Sequence, residues 1–354
     1  MEDLTRGSIV GHLVKTTSFM LVTMVFQTLY FLVDLYWVGR LGKEAIAGVG
    51  IAGNLTFLVL AITQMLAVGT TTLISHAAGR NDRNRAQLVL NQSVLLSGLI
   101  GVAFLILVTA LRPAYVNALS PDSTSAARAT EYLWWFIPAM ALQFPMVVMG
   151  AALRGTGNFK PGMVVQTTTV ILNIVLAPAL MFGWVDSRPM GVAGAGLASL
   201  IAIVVGTTWL ALYFVPAGSY LRLHTRWQPD GELWGQLLKI GLPAGVEFAL
   251  IAVYLFVVYS VSRPFGAAAQ AGFGIGQRIV QAGFMPVVAL GFGVAPVAGQ
   301  NFGARQAQRV RETFRRAVLM SAGMMLLFSV ACYLIPEPML RIFSSDNAVI
   351  GVGA

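Results

Sequence analysis

The chain has one cysteine, three histidines and few charges. Cys332 alone forms no internal disulfide and no cysteine-rich metal site. His12, His76 and His224 share no metal-ligand spacing, so no metal is assigned to them. Charged residues are 10% of the 354, against about 25% in a soluble domain. The chain therefore lacks the polar surface to cover itself in water. No G-x-x-x-x-G-K-[ST] phosphate loop occurs, which argues against ATP-driven work by this chain alone. No nucleophile, base and orienting group stand in a recognisable pattern, and no enzymatic activity is expected. The net charge of +9 does not imply nucleic acid. Basic residues sit in short loops between apolar segments, as membrane topology requires.

What is present is 57% hydrophobic residues, with 20 Phe, seven Trp and 37 Gly. A helix needs about 20 apolar residues to cross the hydrocarbon core. Nine such spans are predicted: Ile9–Tyr36, Ile46–Ala77, Leu88–Leu111, Tyr132–Leu153, Gly162–Gly183, Val192–Val215, Leu237–Val261, Ala271–Gln300 and Phe314–Ile335. These runs are too long and too uniformly apolar for barrel strands. The fold class is an all-α polytopic membrane protein. Glu2 and Asp3 open the chain and the first apolar run exceeds a signal-peptide core, so a retained span is expected there. Of the 23 Lys and Arg, 15 fall on the side of the N-terminus and eight on the other. This predicts a cytoplasmic N-terminus in the cell (inner) membrane.

Shifted by 224 positions, the sequence matches itself without a gap. Gly42, Gly48, Gly50 and Ile51 fall on Gly266, Gly272, Gly274 and Ile275; Gly79 and Arg85 fall on Gly303 and Arg309. Tandem apolar halves are a common way to build an alternating-access transporter, with the site between them. The halves read as a six-span lobe over 1–215, a cytoplasmic linker over 216–236 and a three-span lobe over 237–354. Counterparts of spans four to six would lie beyond residue 354. A 6+6 architecture would need about 440 residues by that repeat logic, so the chain reads as 6+3, and no coupled transport is expected of it alone. The G-x-G-x-x-G at Gly48, Gly50 and Gly53 lacks the strand that dinucleotide binding requires, and reads as close helix packing.

Asp34 and Glu247 are the acids inside apolar spans that no loop accounts for. A membrane-depth charge costs at least about 2.5–3.5 kcal/mol on insertion scales, so such residues tend to face a cavity and serve ions or protons. Asp34 could alternatively pair with Arg40 or Lys43 at the interface, and Glu247 could sit near the headgroups. Asn173 lies in the fifth span shortly before Pro178; it serves a cation or makes an interhelical hydrogen bond. Gln27 shares a helix face with Asp34, where structural bonding suits it better. Tyr36, Tyr254 and Arg278 complete the candidates for a substrate cavity, and Arg278 could equally snorkel. The run Arg305–Arg316 reads as a solvated cytoplasmic anchor.

Several fragments resemble the multidrug and toxic compound extrusion (MATE) family. Gln27-Thr-Leu-Tyr-Phe-Leu-Val-Asp34 through Gly42 resembles its first helix and loop. Leu153-Arg-Gly-Thr-Gly157-Asn-Phe-Lys160 is similar to its loop after the fourth helix. Asn173-Ile-Val-Leu, Gly191–Gly196 and Gly241-Leu-Pro243-Ala-Gly resemble its fifth, sixth and seventh helices. The resemblance implies two six-helix lobes about a V-shaped cavity. It implies export of organic cations and other amphipathic compounds in exchange for sodium ions or protons, with no other cofactor and a monomeric protein. Asp34 would match the first-helix carboxylate that takes the coupling cation, sodium included, and Asn173 the asparagine beside it. Glu247 sits about one turn before the seventh-helix glutamate of some members. Two departures are Ala177, where many members carry an acid, and Lys15–Phe19, which lacks an early proline. The alternatives are a lipid-linked saccharide flippase of the wider superfamily and a non-transporting remnant. A flippase for anionic headgroups would line its cavity with several cations, and here Arg278 is the one intramembrane candidate.

Overall fold

The computed structural model describes residues 1–120, 122–184, 188–216, 219–223, 228–262, 266–341 and 350–351, with no side-chain placement at 252, 255–256, 259–260, 262 and 266–271. His224 and the other linker residues over 224–227 lie outside this set. The described residues form ten helices: α1 (Ile9–Gly39), α2 (Lys43–Gly79), α3 (Arg83–Leu119), α4 (Ser123–Gly155), α5 (Lys160–Phe182), α6 (Val192–Tyr213), α7 (Gly231–Ser262), α8 (Gly266–Gly303), α9 (Ala307–Leu334) and the short α10 (Pro336–Arg341). Within hydrocarbon the backbone must bond to itself, so apolar runs of this length become helices. Eight of the helices are long and apolar enough to cross a membrane. The remaining predicted span, Leu237–Val261, falls within α7.

Most helices overrun the predicted apolar runs, because polar caps carry them past the lipid. Asp82 caps α3 by accepting from the Arg85 amide at 2.9 Å, and Asp122 caps α4 by accepting from Ser125 at 2.8 Å. Ser8 does the same for α1 through the Gly11 amide at 3.2 Å. At the other end, Gly183 closes α5 with a φ of 70°, a left-handed turn that a side chain would strain.

α4 is the centre of the first half, packed by α2, α3 and α6. Two-thirds of its membrane segment (67%) is buried, against 6% for α9. Leu133, Ile137, Met140 and Phe144 form the spine of that core, with Phe104 of α3 edge-on to Phe144 at 5.5 Å. The leading helices cross over: α1 packs on α8 as well as α5, and α7 packs on α2.

The two halves meet at one end and diverge toward the other. Near the ends of α2 and α8 the backbones touch. A Cβ on Gly79 would run into the Gln300 carbonyl, and one on Gly303 into the His76 carbonyl. Farther along, at Gly50 and Gly53 of α2 and Gly276 of α8, a Cβ would meet nothing. The close contact of α2 with α8 thus lies at the end that carries the basic loops.

A strap of chain reinforces that contact. Leu4 is 1% exposed and packs with Ile9, Leu13, Leu290 and Val297. Its amide donates to Gln300 Oε1 at 3.0 Å, and its carbonyl accepts from Asn301 Nδ2 at 3.2 Å. Gln300 Nε2 also donates to the Gly155 carbonyl at 3.3 Å, and the Glu2 amide to the Thr156 carbonyl at 2.9 Å. Arg309 donates to Asn301 Oδ1 at 2.9 Å and to the Gly7 carbonyl at 3.2 Å. The expectation of a uniformly solvated Arg305–Arg316 is therefore corrected at Arg309, which ties the strap to α8. The described part of the linker is likewise fixed: Arg83 donates to the carbonyls of Ser219 (2.6 Å) and Tyr220 (2.9 Å), and Gln92 exchanges hydrogen bonds with Gln228 and Asp230.

Candidate functional site

One polar cluster is built into the wall of the first half. α1 presents Gln27, Tyr30 and Asp34 on one face, three and four residues apart. α5 supplies Asn173, 4% exposed, and α6 supplies Ser199, 3% exposed. Asn173 Nδ2 donates to Ser199 Oγ at 3.0 Å. Ser199 Oγ donates in turn to the Ala195 carbonyl at 3.1 Å, and Tyr30 Oη lies 3.4 Å from the same Oγ. Three helices are thus joined through one hydroxyl. α6 also lies close against α4, where a Cβ on Gly196 would crowd the Tyr132 carbonyl.

Asp34 Oδ1 is sealed from solvent and has no hydrogen-bond partner among the described residues. It enters none of their ion pairs; Arg40 instead sits over Trp37 at 5.6 Å and Phe182 at 5.9 Å. Trp37, Phe182 and Trp184 meet at 5.6–6.0 Å and cover this end of α1 and α5. Ala177, one turn after Asn173, is buried, so the cluster holds a single carboxylate. Its oxygens (Asp34 carboxyl, Tyr30, Ser199 and the Asn173 amide oxygen left free by its donating nitrogen) suit a proton or a hard monovalent cation. They offer none of the nitrogen and sulfur that transition metals select.

Of the sequence-predicted residues, Asn173 joins Tyr30 through Ser199, and Asp34 lies one turn beyond Tyr30 on the same face of α1 as half-buried Gln27. Tyr36 is 60% exposed and lies against Trp37 at 5.0 Å, turned from that face. Glu247 and Tyr254 are exposed on α7, which packs on α2 rather than on α1. Arg278 is exposed on α8. Tyr30 and Ser199 were missed. The spacing of Tyr30, midway between Gln27 and Asp34, could have found it; no sequence feature sets Ser199 apart from other small residues in α6.

The comparisons agree with this architecture. The MatE family model matches residues 20–179 and 243–354. The probable multidrug resistance protein NorM of Thermotoga maritima is 26% identical over 329 residues, covering 93% of this chain and 71% of the relative. A FAD transporter of Shewanella oneidensis is 24% identical over 326 residues, covering 90% and 71%. A solved outward-facing multidrug resistance MATE family transporter of the MOP superfamily superposes with a TM-score of 0.89 at 26% identity, over 99% of this chain and 78% of the other.

Proposed function

The chain belongs to the MatE family, and we propose that it contributes the coupling site of a secondary antiporter that exports amphipathic organic cations in exchange for a proton or a sodium ion held at Asp34. The observation that carries this is the Asp34 carboxyl, one oxygen sealed from water with no partner among the described residues. Burying an ionised carboxylate without a partner is costly. A cation in the cluster relieves that cost, so cation release and the return of water must accompany each other. That coupling is what an exchanger requires. Asn173, Ser199 and Tyr30 hold α5, α6 and α1 in register, so a change at Asp34 is felt by three helices at once.

The basic loops and the strap lie on the cytoplasmic side in this reading, which is supported by the 15 to eight division of Lys and Arg. In this reading a cleft between the halves opens outward from the cell (inner) membrane. Exposed apolar side chains of α2 and α8, among them Phe57 and Phe284, offer in this reading an adaptable surface to flat lipophilic cations. The protein acts as a monomer. The experiment is tetraphenylphosphonium uptake into inside-out vesicles containing the full-length protein. An imposed pH or sodium gradient should drive it several-fold above a no-gradient control. Uptake indifferent to both gradients overturns the antiport reading.

A further inference from the structure

A second site lies on helices other than the α1 that carries Asp34. α3, α4 and α6 leave a groove of about 580 Å³ between them, a volume in the usual range for small-molecule sites. Leu105, Leu133, Ile137 and Leu200 make its floor, while Arg112, Thr109 and Trp134 stand along it.

Arg112 is the informative residue. Its guanidinium lies over the Trp134 ring, 4.7 Å from the centroid. Its Nε is buried without a hydrogen-bond partner, and Arg112 enters no ion pair among the described residues. A guanidinium carries five donors and no acceptor, so an anion is the partner that suits it. Its depth says where that anion comes from. Arg83, at the start of α3, is fixed to the linker. Arg112 lies 29 residues on, about 43 Å at 1.5 Å per residue, more than the roughly 30 Å of hydrocarbon. It therefore stands at the headgroup level of the opposite leaflet, where Trp134 also suits the interface. Pro113, the next residue, lies inside α3 and has no N–H, which releases the Thr109 carbonyl from its helical bond. The groove thus pairs one anion-binding group with one free acceptor above an apolar floor.

We propose that this groove is a binding site for one anionic phospholipid of the leaflet remote from the basic loops. The phosphate pairs with Arg112 beside Trp134, a headgroup hydroxyl donates to the Thr109 carbonyl, and an acyl chain lies on Leu105, Leu133, Ile137 and Leu200. Phosphatidylglycerol carries all three features. Occupancy holds α3 against α4 and α6, the helix that bears Ser199.

The test is native mass spectrometry of the delipidated full chain titrated with equimolar phosphatidylglycerol and phosphatidylcholine. The parent should retain one phosphatidylglycerol in preference to phosphatidylcholine by about tenfold, in line with a charge-assisted contact. Arg112→Gln should bring the preference close to one. Leu200→Trp, which fills the floor and leaves the arginine in place, should release the lipid even if Arg112→Gln fails to fold. Arg128→Gln, which breaks the Arg128–Glu131 pair elsewhere on α4, should keep the preference. Millimolar inorganic phosphate should displace nothing. Equal binding of the two lipids by the parent, retained preference in a folded Arg112→Gln or Leu200→Trp variant, or displacement by free phosphate each overturns the site.

Discussion

Asn81 and Arg305 stand at matching places in the two halves of the chain, and their backbones do the same thing. Both are non-glycine residues in the left-handed region, with φ of 57° and 59°. Around them the turns bond identically: the Asp82 amide reaches the Ala77 carbonyl as the Gln306 amide reaches Asn301. α2 ends at Gly79 and α8 at Gly303, and α3 and α9 begin four residues later. The polar contents differ. Tyr30 has its counterpart in Tyr254, but Asp34 is matched by Val258. The repeat supplies matching frames that cross at their glycines. One substitution gives a single half the carboxyl chemistry.

The frame is broken most severely at the crossing. Gly303→Val places a side chain against the His76 carbonyl, where overpacking typically costs about 1–3 kcal/mol. In a Cys332→Ser background, a cysteine at buried Ser75 should be unreactive to aqueous maleimide, and Gly303→Val should expose it. Gly79→Val should do the same from the other half. Unchanged labelling in both would mean that the halves are not held together there.

A middle-sized effect is expected in the cluster. Asn173→Leu removes the donor to Ser199 and leaves a buried hydroxyl short of a partner, at about 1–3 kcal/mol. Melting temperature should fall by several degrees, and export should drop about tenfold. Asn173→Asp keeps the oxygen and should retain more export than the leucine variant. Equal export by both would separate Asn173 from coupling.

The smallest effect distinguishes cap from core. Asp122 is held below the usual carboxylate range by hydrogen bonds from the Ser125 amide and then the Ser125 hydroxyl. A group with a depressed folded pKa stabilises above its unfolded value and loses that contribution as pH falls through the folded one. The start of α4 should therefore fray below about pH 4, and Asp122→Ala should remove that acid-dependent step. Hydrogen exchange at Thr124–Ala126 reads it. An acid step that persists in Asp122→Ala would assign it to another group.

Much of this frame is legible in the sequence, because lipid leaves an apolar run of 20 residues no choice but helix. The helix ends were less legible, since caps such as Asp82 and Asp122 extend α3 and α4 beyond the apolar stretch. Asp34 and Asn173 stood out as polar groups at membrane depth. Tyr30 and Ser199 did not, because hydroxyls are ordinary in membrane helices and their contact joins residues far apart in the chain. The strap was invisible for the same reason: Leu4 and Gln300 are neighbours only after folding. Arg309 was hidden among neighbouring arginines that do face solvent.

The most direct measurement sets the two membrane acids against each other in the full-length protein. Gradient-driven tetraphenylphosphonium transport is compared for Asp34→Asn and Glu247→Gln, with insertion checked by membrane yield. Loss in Asp34→Asn with near-parent transport in Glu247→Gln is the predicted result. Parent-rate transport by Asp34→Asn, with loss in Glu247→Gln, would move the coupling site to the second half and contradict the account.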